Sequence, residues 1–181
     1  LMRGNLSLMA VSIYDSNIFG KAFTTPETRL IFSDSEYVRC IVKTEVALAR
    51  AQEFSGLLPP GTASAIETSL NAEEIDVDEL AKSFLKIGRP ILGVVEQLRA
   101  QAGKNSNWVH YGASTYDIMD TARVLQIKQA ISSIETKLIQ ILSKFDKLIN
   151  DHGDAIMASR SNNMHSATQT FGLKIAVYAE E

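Results

Sequence analysis

Hydrophobic and polar positions follow a helical period along most of the chain. The strongest run is Val124, Ile127, Ile131, Ile134, Leu138, Ile141, Phe145 and Leu148, alternately three and four residues apart and widened by Leu125, Leu142 and Ile149. This 3.5-residue repeat predicts a helix from Asp117 to Asn150, about 50 Å long, packed in a bundle or coiled coil. Upstream, Val38, Ile41, Val42, Leu48 and Ala49 mark a helix that Ser33 or Ser35 caps and that stops near Ser55-Gly56, with Pro59-Pro60 beyond. A short helix is expected over Thr62–Leu70. Asp76 and Glu79 have capping-box spacing at the start of another, which Gly88 ends, and Pro90 suits the first turn of a helix running towards Gly103.

Residues 1–32 hold no sustained period and read as an irregular arm with a turn around Thr25-Pro26. Gly103–Trp108 reads as a polar loop, and so does the polar run from Ser159 to Ser166. Phe171, Ile175 and Tyr178/Ala179 then restart a helical stripe that no glycine, proline or cap closes, so the chain reads as cut within a helix. No alternating run is long enough to require a sheet. The expected fold is all-α: a small N-terminal helical domain over residues 1–107, followed over 108–181 by the first long helices of a helical bundle, incomplete at the C-terminus. Each apolar side chain of the long stripe left in water forfeits about 1.5–3 kcal/mol. The short N-terminal helices cannot cover that stripe, so other long helices are expected to.

Composition narrows the class. With 181 residues, 45% hydrophobic and 22% charged, the chain can bury a real core, which excludes a disordered or low-complexity protein. A net charge of -3 signals neither a nucleic-acid nor an anionic-membrane partner. No stretch has the ~20 apolar residues of a membrane span, and Leu6–Tyr14 is too broken by polar residues for a signal peptide. The single cysteine, Cys40, is expected as a buried free thiol, which fits a reducing, cytoplasmic setting.

Two segments can carry chemistry. His110-Tyr111-Gly112-Ala113-Ser114-Thr115-Tyr116-Asp117 stands directly before the long helix. Ser114 with Asp117 makes a capping-box arrangement, so one reading is a well-made helix start. The other is an anion site, where free backbone N–H groups, the Ser114 and Thr115 hydroxyls and the His110 imidazole meet a carboxylate or phosphate. The second segment is Arg160–His165, either a solvated loop or a place where Arg160 presents its planar fork to a carboxylate. Arg89, between Gly88 and Pro90, is a helix-end surface charge or a further contact for an anion. Glu45 falls within the apolar stripe of its helix, where a paired structural carboxylate is expected. His110, His152, His165 and Cys40 lack metal-ligand spacing, so no metal is expected, and no phosphate-binding glycine motif is present.

On these residues the chain resembles the aspartase/fumarase superfamily of helical lyases. Phe32-Ser33-Asp34, Glu45 to Gln52 and Gly56-Leu57-Leu58-Pro59 are similar to its first long helix. Trp108 to Ala122 resembles its first substrate-binding segment, His-x-Gly-Ala-Thr-Ser-x-Asp, with the two hydroxyl residues exchanged. Arg160-Ser161 and Thr170-Phe171-Gly172-Leu173-Lys174 resemble the second. Asn162 stands where adenylosuccinate lyases carry a histidine, Met164 and Thr168 replace a usual glutamine and proline, and no histidine precedes Pro90.

The resemblance therefore implies the cycloisomerase branch, which interconverts a carboxymuconate and its lactone in aromatic catabolism. An adenylosuccinate-type lyase and a non-catalytic helical oligomerisation relative are the alternatives. It further implies a homotetramer built through long helices, a small polycarboxylate substrate and no organic cofactor. It gives His110, Ser114 and Thr115 catalytic roles and Arg160, Ser161 and Asn162 substrate-binding ones, to which Arg89 is added as a candidate substrate contact from its own position. The superfamily's third motif, a mobile loop with a catalytic serine, would lie beyond Glu181, so these residues alone are expected to bind weakly and turn nothing over.

Overall fold

The structure is a computed structural model describing residues 12–181. The first part of the expected irregular arm, and with it most of Leu6–Tyr14, lies outside the described residues. Where the rest of that arm is expected to be irregular, two short helices stand, α1 (Gly20–Phe23) and α2 (Pro26–Ile31). Elements this short carry no readable period. Local chemistry makes α2, with Pro26 opening it and the Thr25 hydroxyl accepting from Thr28 N–H.

Helix α3 (Asp34–Phe54) is capped by Ser33, whose hydroxyl accepts from Glu36 N–H at 3.2 Å. It turns Val38, Ile41, Ala49 and the free Cys40 inward. Helix α4 (Thr62–Ser69) packs against it, its entry held by Glu53, which accepts from Gly61 N–H at 2.9 Å and Ala63 N–H at 2.6 Å. Asp76 caps α5 (Val77–Ile87), accepting from Asp78 and Glu79 N–H, and α5 packs on α6 (Pro90–Ala102). Gly103–Trp108, expected as loop, is a turn of 3-10 helix. Helix α7 (Thr115–His152) extends the expected long helix by two residues at each end.

Two compact units divide within α7, one ending at Ala130 and the other covering Ile131–Glu181. The core of the first is built on Ile41, Ile66, Ile91, Val94, Leu98 and Val109, joined by Ile118 and Ala122 of α7. Amides fix α7 there. The wholly buried Gln126 donates to the Ile31 carbonyl at 2.7 Å and accepts from Arg123 at 2.8 Å, and Gln129 donates to Glu36 at 2.7 Å.

Glu36 also meets Arg39 at 2.7 Å and Lys43 at 3.9 Å. Burial pushes its carboxyl up, but the hydrogen bonds from Gln129 and Arg39 and the two nearby cations outweigh this and hold it below the usual glutamate range. A carboxylate depressed on folding stabilises the fold above its unfolded value, near pH ~4, and loses that contribution as pH falls through the folded value. Glu36→Gln should therefore lower the melting temperature at pH 7 and lower it much less in acid. Equal losses at both pH values in thermal melts would show that the ionised form contributes nothing.

The second unit corrects the sequence-based expectation. The segment read as a polar loop is a β-hairpin, β1 (Ile156–Ser161) antiparallel to β2 (Met164–Thr170), followed by α8 (Phe171–Glu180). Asn162 and Asn163, at φ 50° and 63°, form a two-residue turn in the left-handed region that asparagine tolerates. The strands show no alternation because neither face is buried. Backbone pairing makes them, helped by the Ser159 hydroxyl, which donates to the Ala167 carbonyl at 2.7 Å, with a register irregularity between Ala158 and Arg160.

Gly172 N–H donates to the Gly153 carbonyl at 2.9 Å, joining the start of α8 to the end of α7. A Cβ at Gly172 would stand 3.0 Å from that oxygen, a tight contact that a larger residue could make only if the Gly153 backbone shifted slightly. Along α7 in this unit Ile131, Ile134, Leu138, Ile141 and Leu142 are exposed.

Candidate active site

Residues 109–111, just before α7, are held by three side chains reaching in from other helices. Arg99 of α6 donates to the Val109 carbonyl, with Nη2 at 3.1 Å and Nε at 3.3 Å. Glu45 of α3 accepts from His110 N–H at 3.1 Å and meets the ring at Nδ1 at 2.6 Å. Gln52, also on α3, donates to the Tyr111 carbonyl at 2.6 Å. Glu45 and Gln52 are seven residues apart, two turns along one helix face, which is how one helix serves both. The clamp holds His110 at φ 60°, a left-handed conformation unusual for a residue with a side chain. Trp108 packs edge-on against Tyr111 at 5.2 Å between ring centres.

Gly112, at φ 67°, then turns the chain into α7. Asp117 accepts from Ser114 N–H at 2.8 Å, one half of the expected capping box. The other half is absent: among the described residues the Ser114 and Thr115 hydroxyls have no hydrogen-bond partner, Ser114 being exposed and Thr115 half-buried. The helix start is capped by Asp117, which leaves two hydroxyls and the first backbone N–H groups of α7 for an anion.

Arg160, Ser161 and Asn162 lie in the second unit, Arg160 and Ser161 at the end of β1 and Asn162 in the turn. All three are exposed, and Arg160 pairs across the hairpin with His165 in backbone register only. Among the described residues neither Arg160 nor the exposed Arg89, at the entry of α6, has a side-chain partner. The backbone at Asn162 has a structural task, the left-handed turn. Among the described residues no group of His, Cys, Asp or Glu is placed to hold a metal ion, and no helix is long and apolar enough to cross a membrane.

The sequence pointed to Glu45 as a paired carboxylate, and the structure supplies His110 as its partner. Gln52 and Arg99 were not distinguishable in the sequence as part of the clamp. The available signal was polar residues inside buried stripes, Glu45 and Gln52 one heptad apart.

An all-α chain whose long helix opens on a clamped His-Tyr-Gly-Ala-Ser-Thr-Tyr-Asp turn has the N-terminal architecture of the helical lyases. The Lyase family profile matches residues 21–181, and the chain belongs to that family, within the fumarase/aspartase superfamily, whose members are enzymes. N-acetyl-S-(2-succino)cysteine lyase of Dickeya dadantii (strain 3937) is 32% identical over 96% of this chain and 38% of its own length. Trans-aconitate decarboxylase 1 of Mycosarcoma maydis is 38% identical over 89% of this chain and 32% of its own. The crystal structure of 3-carboxy-cis,cis-muconate lactonizing enzyme from Pseudomonas putida superposes with a TM-score of 0.81 at 32% identity, covering 87% of this chain and 37% of that one. The chain thus spans about a third of the length of the relatives it matches.

Proposed function

We propose that the full-length protein interconverts 3-carboxy-cis,cis-muconate and its lactone. In the opening direction a proton leaves the carbon α to a carboxylate and the C–O bond β to it breaks, its electron pair leaving on the second carboxylate. In the closing direction a carboxylate oxygen adds to the double bond and the proton returns to the α carbon. Negative charge grows on the carboxylate next to the reacting carbon, so the site must hold donors already in place for that charge.

The single observation that carries this reading is the start of α7, where the Ser114 and Thr115 hydroxyls have no partner among the described residues and stand beside the first helix N–H groups, directly after the clamped His110. In the proposal these donors take the growing charge, and His110 holds the substrate or assists proton transfer. Arg160 clamps a second carboxylate, with Ser161, Asn162 and Arg89 as further contacts. The chemistry moves a proton and a C–O bond without net oxidation, so protein dipoles and arginine suffice and no cofactor enters. The exposed apolar stripe on α7 supports assembly as a homotetramer through long helices, the sites drawing on more than one subunit.

A second reading, elimination of a thiol from a succinyl thioether, is favoured by the 32% identity to the succinocysteine lyase over 96% of the chain. It uses the same helix-start donors. Assay of the full-length protein against 3-carboxy-cis,cis-muconate, N-acetyl-S-(2-succino)cysteine and adenylosuccinate separates the readings. Lactone formation is the expected result. Release of fumarate from the thioether would move the substrate to the second reading, and turnover of none would sink both.

A further inference from the structure

The Glu45 carboxylate contacts His110 twice. Its Oε2 accepts from the backbone N–H at 3.1 Å and its Oε1 meets ring Nδ1 at 2.6 Å, with the Glu45 side chain 1% exposed and that of His110 12% exposed. An ionised carboxylate accepts and never donates, so with Glu45 in that form the donor in this contact is Nδ1–H. Nε2 is then the remaining ring nitrogen, an acceptor when the ring is neutral and an N–H donor when it is charged. We infer that Glu45 is a positioning residue for His110, locking the ring in the Nδ1–H tautomer and in one orientation so that Nε2 alone is left to meet substrate.

The inference rests on the role proposed above for His110, and the geometry of Glu45 adds to it. Glutamine in place of Glu45 is isosteric but not equivalent. Both groups it must face are N–H donors, and an amide turns an NH2 towards one of them in either orientation. Aspartate keeps the charge but is one methylene shorter and reaches fewer of these donors from α3. The second oxygen also secures the backbone of His110 at φ 60°, between the carbonyls that Arg99 and Gln52 hold. Ring and backbone are thus fixed by one buried group, the arrangement that removes orientational freedom before substrate arrives.

The imidazole nitrogens of the full-length protein, labelled with 15N and assigned by difference from His110→Gln, test this at alkaline pH, where an imidazole is neutral. The expected spectrum shows the proton on Nδ1 of His110. A proton on Nε2 would overturn the inference. This measurement needs no substrate, so it stands or falls independently of the proposed reaction, and the unsubstituted protein decides it even where Glu45→Gln does not fold. In a folded, full-length Glu45→Gln variant, kcat should fall roughly 10- to 100-fold with KM little changed, the scale of losing an orienting partner. Glu45→Asp should recover part of that loss. An unchanged kcat, or a loss carried wholly by KM, would also overturn it.

Discussion

Replacing both Ser114 and Thr115 with alanine is expected to lower kcat/KM of the full-length protein by roughly 100-fold or more, the scale of removing preorganised donors from a developing oxyanion. The same substitution should leave the fold nearly as stable as before. A serine whose hydroxyl caps a helix costs about 1 kcal/mol when cut to alanine, but here Asp117 takes the Ser114 N–H and neither hydroxyl has a partner among the described residues. A structural cap and a binding site therefore predict opposite results. If the double variant melts early and keeps its kcat/KM, the two hydroxyls belong to the helix and not to the site.

Arg160→Ala should raise KM and lower kcat/KM roughly 10- to 100-fold, the value of one charge-assisted hydrogen-bonded pair. Arg160→Lys should restore only part of the loss, because an ammonium keeps the charge and loses the fork that matches a carboxylate. Neither change should disturb the hairpin, since the Arg160 side chain is exposed and β1 and β2 are held by backbone pairing. Steady-state kinetics with the carboxymuconate reads the effect directly. A KM that stays constant in Arg160→Ala would remove this arginine from the substrate's second carboxylate.

What was legible in the sequence and what was not divides along physical lines. Helices α3 and α7 announce themselves by apolar residues at helical spacing, and α5 and α6 by start and stop signals such as Asp76, Gly88 and Pro90. The hairpin β1–β2 did not, because exposed strands have no hydrophobic alternation and Asn162-Asn163 is a weaker turn signal than asparagine followed by glycine. Ser114 and Asp117 were visible as a cap, but that the contact runs from the Ser114 N–H to the Asp117 carboxylate depends on how the turn at Gly112 leads into the helix. Glu45 was visible as a misplaced charge. Its partner, 65 residues away, was not, because pairing across the fold leaves no local pattern.

The claim on which the proposed mechanism depends is that a substrate carboxylate sits at the start of α7. A crystal structure of the full-length protein with the carboxymuconate or its lactone bound tests it most directly. The account predicts a carboxylate oxygen within hydrogen-bond distance of the Ser114 or Thr115 hydroxyl and of a backbone N–H in the first turn of α7, with Nε2 of His110 towards the ligand. A ligand bound with all its carboxylates away from Ser114 and Thr115 would contradict it.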